Sequence, residues 1–421
     1  VSLDYSKTPS VSLAYVFAEL NGVELVGKNS RPQRLTGFQY FRNGEVGGST
    51  VKLSLFDQYW PEIETILLQE ISPILRFKYG YTNGEVSPEY ESLALSYSPR
   101  FKAQGMDIQI DAASLPLDPA VNVAKSRLWP EAANREEMSI SDIVNFICDE
   151  RGWKRDVEET APVDAFDWWG LAKKSQKQFS QSQQKDTEFI INELLPLAKS
   201  KKTGQGGYKF FFEDVAGATV CHFHPPRYDQ KGPYQTFTYM WGDPNSEVIS
   251  FAPEIAPSLN QALGGGAIGV PFIDVSTGQF KTVLVSNQST TTKTLLGGPL
   301  TVGSPPSPDG KTRYNVVDAA PVPNEGVALA WAANRYFSMS QAVQRAELVL
   351  VGQPQSVVHR IIRVNVVMPG GKLHYSSGLW HVMSITDEIA GSFTSRYELN
   401  RNAYPDAPGV VGELGEGTVN E

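Results

Sequence analysis

Apolar and polar residues alternate across Ile362, Val364 and Val366, and again from Leu379 to Ile385. A period of two marks strands with one buried face. Pro369-Gly370-Gly371 and Ala390-Gly391-Ser392 place turns between the runs. Residues 346–404 therefore predict a compact antiparallel β unit. The stretch carries no nucleophile motif, metal cluster or phosphate loop.

The same alternation recurs near the start of the chain, in segments 37–41, 50–56, 75–79, 93–97 and 106–110. Between them, Trp60-Pro61-Glu62 predicts a short helix, with proline in the permissive first turn and acids near its positive end. Its apolar stripe is Ile63, Ile66 and Leu67. Strands around one helix predict a small β-barrel plugged by that helix over residues 1–118.

The period changes after residue 118. Ser139-Ile-Ser-Asp142 is a capping-box start with Asp in the place of Glu. Ile140, Ile143, Val144, Ile147 and Cys148 follow at helical spacing, and Gly152 closes the helix. A second helix is expected from Asp186, with Phe189, Ile190, Leu194 and Leu195 apolar, and a kink or early end at Pro196. A hairpin is expected over 208–224, and the Gln/Ser/Lys-rich stretch 173–184 reads as a connector. Residues 259–343, with Gly264-Gly265-Gly266 and runs of Thr, Ser and Pro, predict loops and a few edge strands, with a helix from about Ala328. Residues 406–421 read as a flexible tail.

Composition narrows the function. A formal net charge of −9 over 421 residues argues against sequence-independent nucleic-acid binding, which needs a basic stripe. The two cysteines, Cys148 and Cys221, cannot form a framework of staples and are expected as buried thiols, with one disulfide between them as the alternative. No run reaches the roughly 18 apolar residues of a membrane span. The opening residues lack the basic start and apolar core of a signal peptide. Synthesis in the cytoplasm is expected, the chain then either staying soluble or being carried out as part of an assembly.

Candidate chemistry is sparse. In Cys221-His222-Phe223-His224 a strand would aim Cys221 and Phe223 one way and both histidines the other. Two same-face histidines can ligate zinc, but His359, His374 and His381 offer no spaced partner, and no metal ligand is assigned. The carboxylate pairs Glu62/Glu64, Glu158/Glu159 and Glu213/Asp214 read as solvated charge rather than as a glycosidase pair. Trp129-Pro130 and Trp168-Trp169 read as core or interface aromatics, and Gly264-Gly265-Gly266 as a loop. No catalytic residue and no cofactor are expected, and the chain is not read as an enzyme.

The succession of these pieces resembles a family. The helix beginning Ser141-Asp142, the run Gln181-Ser-Gln with Asp186 and Phe189, and the hairpin ending His222-Phe-His-Pro225-Pro226 occur in its order. So do Phe237-Thr-Tyr-Met-Trp-Gly242 and the terminal H-Y-S-S-G-L-W, G-x-F and L-x-R-N-A steps. Together they resemble the baseplate hub protein of contractile-tailed phages, related to the hub half of type VI secretion spike proteins. The resemblance implies an α+β, β-dominated fold with two related β-barrel tube domains, a small α/β portion and a loop-rich insertion, assembling as a ring. The first barrel would be 1–118 with 235–258, and the second 119–232 with 344–405. It implies a homotrimer of pseudo-sixfold symmetry in the virion. That ring would join the tail tube or distal tube protein to the central spike, contact tape measure and baseplate wedge proteins, and let DNA pass without specific binding. A spike hub of a secretion system or tailocin is the alternative within that architecture. A tail-associated cell-wall hydrolase or carbohydrate-binding protein is the alternative outside it.

Overall fold

The computed structural model describes residues 13–27, 34–57, 65, 72–118, 122–129, 138–161, 179–203, 206–215, 217–227, 230, 232–243, 246–255, 267–274, 279–286, 301–302, 314–316, 328, 331–332, 334–335, 344–374 and 376–401. Strands dominate and helices are few, so the chain is α+β with β predominant.

The N-terminal strands are β1 (Ala14–Leu20), β2 (Val23–Val26), β3 (Leu35–Asn43), β4 (Val46–Gly47), β5 (Thr50–Asp57), β6 (Ile74–Tyr81), β7 (Tyr90–Lys102) and β8 (Gly105–Ala113). Antiparallel ladders order seven of them as β2-β1-β6-β7-β8-β5-β3. Every second residue faces inward, as a pleated strand requires. Phe38 and Tyr40, Val51, Leu53 and Leu55, Leu75, Phe77 and Tyr79, and Ile108 and Ile110 meet in one core. The helix expected around residues 60–70 lies outside the described residues apart from helical Thr65.

A separate α/β layer follows. It comprises β9 (Lys125–Trp129), α1 (Ile140–Arg151), β10 (Lys154–Val157), β11 (Phe179–Gln184), α2 (Asp186–Phe189), β12 (Lys209–Val215) and β13 (Ala218–His224). Ser139 and Asp142 close the capping box in both directions, at 3.2 and 2.9 Å, and Gly152 ends α1 with φ 71°. Such a left-handed residue suits glycine. Past α2 the chain widens into a π turn, Ile190–Leu194, then tightens into a 3₁₀ turn, Leu195–Leu197, which ends the helix around Pro196. β12 and β13 form the expected hairpin, and β10 adds to β13 in parallel. The buried carboxylate of Asp186 receives Arg127 at 2.8 Å, Gln181 at 3.0 Å and Arg151, tying the β9–β11 pair to the helices.

The next strands are β14 (Gln235–Met240), β15 (Val248–Ile255), β16 (Ala267–Asp274), β17 (Gln279–Ser286), β18 (Thr301–Val302) and β19 (Tyr314–Val316). The chain ends in β20 (Gln344–Val351), β21 (Ile361–Val367), β22 (Gly378–Ala390) and β23 (Ser392–Arg401). Strands 16–19 form a small sheet of order β18-β17-β16-β19, more ordered than the loops expected there. Val270 of β16, with Ala328 and Ala332, packs into the core of the α/β layer.

Three sequence expectations differ from the observed pairing and packing. Strands β14 and β15 do not return to the N-terminal sheet. Instead β14 pairs with β21 in parallel and β15 with β20 antiparallel, giving the order β15-β20-β23-β22-β21-β14. The inward residues Leu348, Leu350, Val364 and Val366 need cover, and Phe237 and Val248 supply it. Among the described residues, those of 119–232 likewise do not share a core with those of 344–405, since the helices and β10, β12 and β13 bury their own apolar faces on one another. Nor do the expected barrels close. Among the described residues no ladder joins β2 to β3 or β14 to β15, so both units are open, curled sheets.

The two curled sheets are joined edge to edge where β3 pairs with β22, from Phe38↔Ile389 to Asn43↔Ser384. Along β22, Ile389 belongs to the N-terminal core and Ile385 to the C-terminal core, with Asp387 between them. Asp387 is fully buried and binds the Arg42 guanidinium. Tyr79 donates to it at 2.6 Å, Ser395 also donates, and Arg42 donates onward to the Ser356 carbonyl. Removing one partner of a buried ion pair leaves the other uncompensated. Asp387→Ala is therefore expected to lower stability by about 3–5 kcal/mol. An Arg42→Met/Asp387→Leu double variant should lose less. Denaturant midpoints of the three proteins check this.

Candidate functional site

Four of the five histidines converge where the α/β layer meets the C-terminal sheet. His222 and His224 lie on β13, His359 in the turn before β21, and His381 on β22. Ring centroids are 5.8 Å apart for His222–His224, 5.4 Å for His224–His359 and 5.0 Å for His359–His381. Phe211 of β12 stacks on His222 at 4.4 Å and on His359 at 4.8 Å. The alternation read from sequence holds on β13: Cys221 and Phe223 sit in the helix-side core while the histidines occupy the other face. His359 and His381, which had no spaced partner in sequence, join the cluster because the His359 ring packs on Phe211 and His224 and meets His381 on its other side.

At the inner end, hydrogen-bond direction is set by a carbonyl. The Gly44 carbonyl can only accept, so His359 Nε2 donates to it. His359 Nδ1 is then the acceptor for His381 Nε2 at 3.1 Å. His381 Nδ1 in turn needs a donor, which the Asn400 amide supplies once its NH₂ is turned toward the ring, 3.1 Å away. Both rings are thus satisfied while neutral. His359 holds this position at φ 58°, an uncommon conformation for a residue with a Cβ, and its N–H bonds the Val382 carbonyl at 2.9 Å. Burial pushes His381 down to about 3. Burial and then neighbouring His381 and His224 push His359 well below its ordinary range.

The outer end is charged. The parallel register sets Asp156 of β10 directly beside His222. His222 Nδ1 lies 2.9 Å from Asp156 Oδ2, and His222 Nε2 lies 3.5 Å from Glu213 Oε2. His224 Nε2 lies 3.7 Å from the same Asp156 oxygen, and its Nδ1 donates to the Pro225 carbonyl at 2.8 Å. Arg227 takes Asp156 Oδ1 at 2.5 Å. Burial pulls His222 down, but Asp156 and Glu213 outweigh it and raise its pKa. Asp156 is held far below the usual carboxylate range, first by His222 and then, against burial, by Arg227. Burial lowers His224 to about 4. Sequence reasoning missed Asp156. The signal was the short strand after the Gly152 cap, whose parallel pairing is a tertiary choice.

The other candidates do not assemble. Glu213 turns to His222, while adjacent Asp214 is buried on the opposite face, accepting from Thr219 at 2.6 Å and the Leu115 N–H at 3.3 Å. Glu158 accepts from Ser200 at 2.5 Å and Glu159 pairs with Lys201 at 2.9 Å. Trp129 is a core residue, edge-on to Phe146 with Arg127 over its ring. His374 bonds Ser376 in the turn between β21 and β22. Cys148 and Cys221 are buried free thiols in one core, and their contact and burial push the Cys221 thiol up. Glu62/Glu64, Pro130, Trp168-Trp169 and Gly264-Gly265-Gly266 lie outside the described residues.

No protein-family profile and no curated protein matches the chain. Solved structures do. The 43 kDa tail protein of prophage MuSo2 from Shewanella oneidensis is 12% identical with a TM-score of 0.53, over 94% of this chain and 99% of that one. A tail protein from Neisseria meningitidis is 9% identical with a TM-score of 0.55, again over 94% and 99%. The fold is that of phage tail proteins. It extends to a chain of the Francisella PdpA-VgrG complex, 9% identical with a TM-score of 0.51, over 93% of this chain and 58% of that one. At such identities the likeness carries the fold, and the side-chain chemistry is this chain's own.

Neutral, buried His359 and His381 tie stability to pH. Unfolded histidine takes up a proton near 6.5, whereas folded His381 does so only near 3. Between those values the unfolded chain binds more protons, so the stability present above about pH 6.5 is lost as pH falls. Each such histidine contributes a slope of up to about 1.4 kcal/mol per pH unit. Denaturant midpoints between pH 7 and 4 should fall accordingly, and His381→Gln should flatten the profile by about one proton.

Proposed function

We propose that the chain is the structural hub of a phage-tail baseplate. Three copies form a ring of pseudo-sixfold symmetry that joins a sixfold tail tube to a threefold spike. The observation that carries this reading is the pair of curled sheets locked edge to edge through β3 and β22, so that each copy presents two β units. Three such copies present six. The likeness to tail proteins over nearly their whole length supports a role in the same kind of assembly.

In this reading residues 13–118 form the first tube unit, and 235–255 with 344–401 the second. The α/β layer, 122–227, and the small sheet of 267–316 are carried outside them. The partners are the tail tube, the central spike, and the tape measure and wedge proteins, and the location is the virion baseplate. A net charge of −9 per chain makes the ring strongly acidic, so like-charge repulsion keeps passing DNA from adhering. Glu45, Glu254, Glu347 and Glu398, together with Arg345, line one cleft of about 310 Å³. The role is architectural, consistent with carboxylates that turn away from one another. The likeness to the VgrG chain favours one second reading, the spike hub of a secretion system or tailocin.

Light scattering on the eluting protein, followed by electron microscopy, tests the ring. Three copies of the 46.3 kDa chain give a particle of about 139 kDa, with six lobes in face-on views. A monomer or dimer at every concentration contradicts it.

A further inference from the structure

Asp156, His222 and His224 place three ligand atoms within 4.8 Å of one another on one face of the β10–β13–β12 ladder. We propose that these three side chains form a binding site for one divalent transition-metal ion of the zinc type. Water would complete a tetrahedral set.

The ladder explains the placement. Residues two apart on a strand share a face, so His222 and His224 form a two-toothed fork. The parallel register sets Asp156 beside His222 from the neighbouring strand. A two-histidine, one-carboxylate set with a solvent position is an established way to hold zinc. Asp156 is a third exposed, which leaves room for that water.

The outer contacts point the same way. A metal-bound histidine usually turns its second ring nitrogen to a carboxylate or backbone carbonyl, which fixes the ring. His224 already does so, while the buried Nε2 of His222 has only Glu213 near it. His224 Nδ1 donates to the Pro225 carbonyl at 2.8 Å, leaving the Nε2 lone pair toward Asp156. His222 turns Nε2 toward Glu213 at 3.5 Å and Nδ1 toward Asp156. A buried lone pair facing a carboxylate oxygen at 3.7 Å is poorly matched unless a cation lies between them. Phe211, flat against His222, limits ring rotation. Arg227 occupies only Oδ1 of Asp156, so Oδ2 remains as the ligand atom.

Metal binding would displace the proton that His222 shares with Asp156. It would also clamp β10 to β13 beside the histidines that face the C-terminal sheet. The site goes beyond the baseplate role and stands or falls independently of it.

The test uses the full chain, stripped with chelator and titrated with Co²⁺. The expected result is the visible ligand-field absorption of a tetrahedral N/O site, saturating at one equivalent, and a rise in melting temperature with Zn²⁺. Asp156→Asn, which keeps side-chain size, and His224→Gln should each weaken Zn²⁺ binding by more than about 100-fold, given that outer contacts alone account for 10–100-fold. His374→Gln should leave it unchanged. Absence of a cobalt band in the wild-type chain overturns the proposal without recourse to variants. So does one-equivalent binding that survives in Asp156→Asn with circular dichroism unchanged.

Discussion

The buried pair of Arg42 and Asp387 is the constraint on which the arrangement of the two curled sheets depends. It sits on the only stretch where their backbones pair among the described residues, between a core that ends at Ile389 and another that begins at Ile385. An ion pair in such a place recovers its desolvation cost only if every remaining polar atom is matched. Tyr79 from one sheet, Ser395 from the other and the Ser356 carbonyl provide most of that matching. The pair's main contribution is register. A slip of one residue between β3 and β22 would turn Asp387 to the opposite face and leave Arg42 buried alone.

From this joint the histidine cluster follows. β3 runs into the Gly44 turn, whose carbonyl accepts from His359, and the Gly44 N–H bonds the Met383 carbonyl on β22. The turn is held tightly: a Cβ on Gly44 would strike the Met383 carbonyl and the His359 ring. β4 then pairs with β12, and Lys209 pairs with Glu45 at 3.1 Å, which brings the α/β layer against the joint. Three separately cored units therefore meet around Gly44 and His359. Neutral histidines suit such a meeting point, since they satisfy one another without bringing charge into it.

Local structure was legible in the sequence to the extent that a single segment decides it. The strands 37–41, 50–56, 75–79, 93–97 and 106–110 lie within β3, β5, β6, β7 and β8, and the Ser139 cap, Gly152 stop and Pro196 break act as their chemistry requires. Partner choice was not legible. The alternation of β14 and β15 reports a half-buried strand but not which edge accepts it, so they were expected with the wrong sheet. The candidate metal set was half legible. His222 and His224 share a strand, whereas Asp156 lies 66 residues upstream and meets them only through a parallel pairing. His359 and His381 joined the cluster through the β21–β22 ladder, which no local pattern encodes.

A hub has to hold its two tube units in a fixed relation while neighbours load it from both sides, and the shared ladder is the element proposed to do so. Amide hydrogen exchange measures that directly. If the joint is integral to the fold, the bonded amides of β3 and β22 between Phe38 and Ile389 exchange as slowly as the cores on either side, and only by global unfolding. Exchange at this ladder that is much faster than in both flanking cores would mean the sheets hinge apart, and would contradict the account.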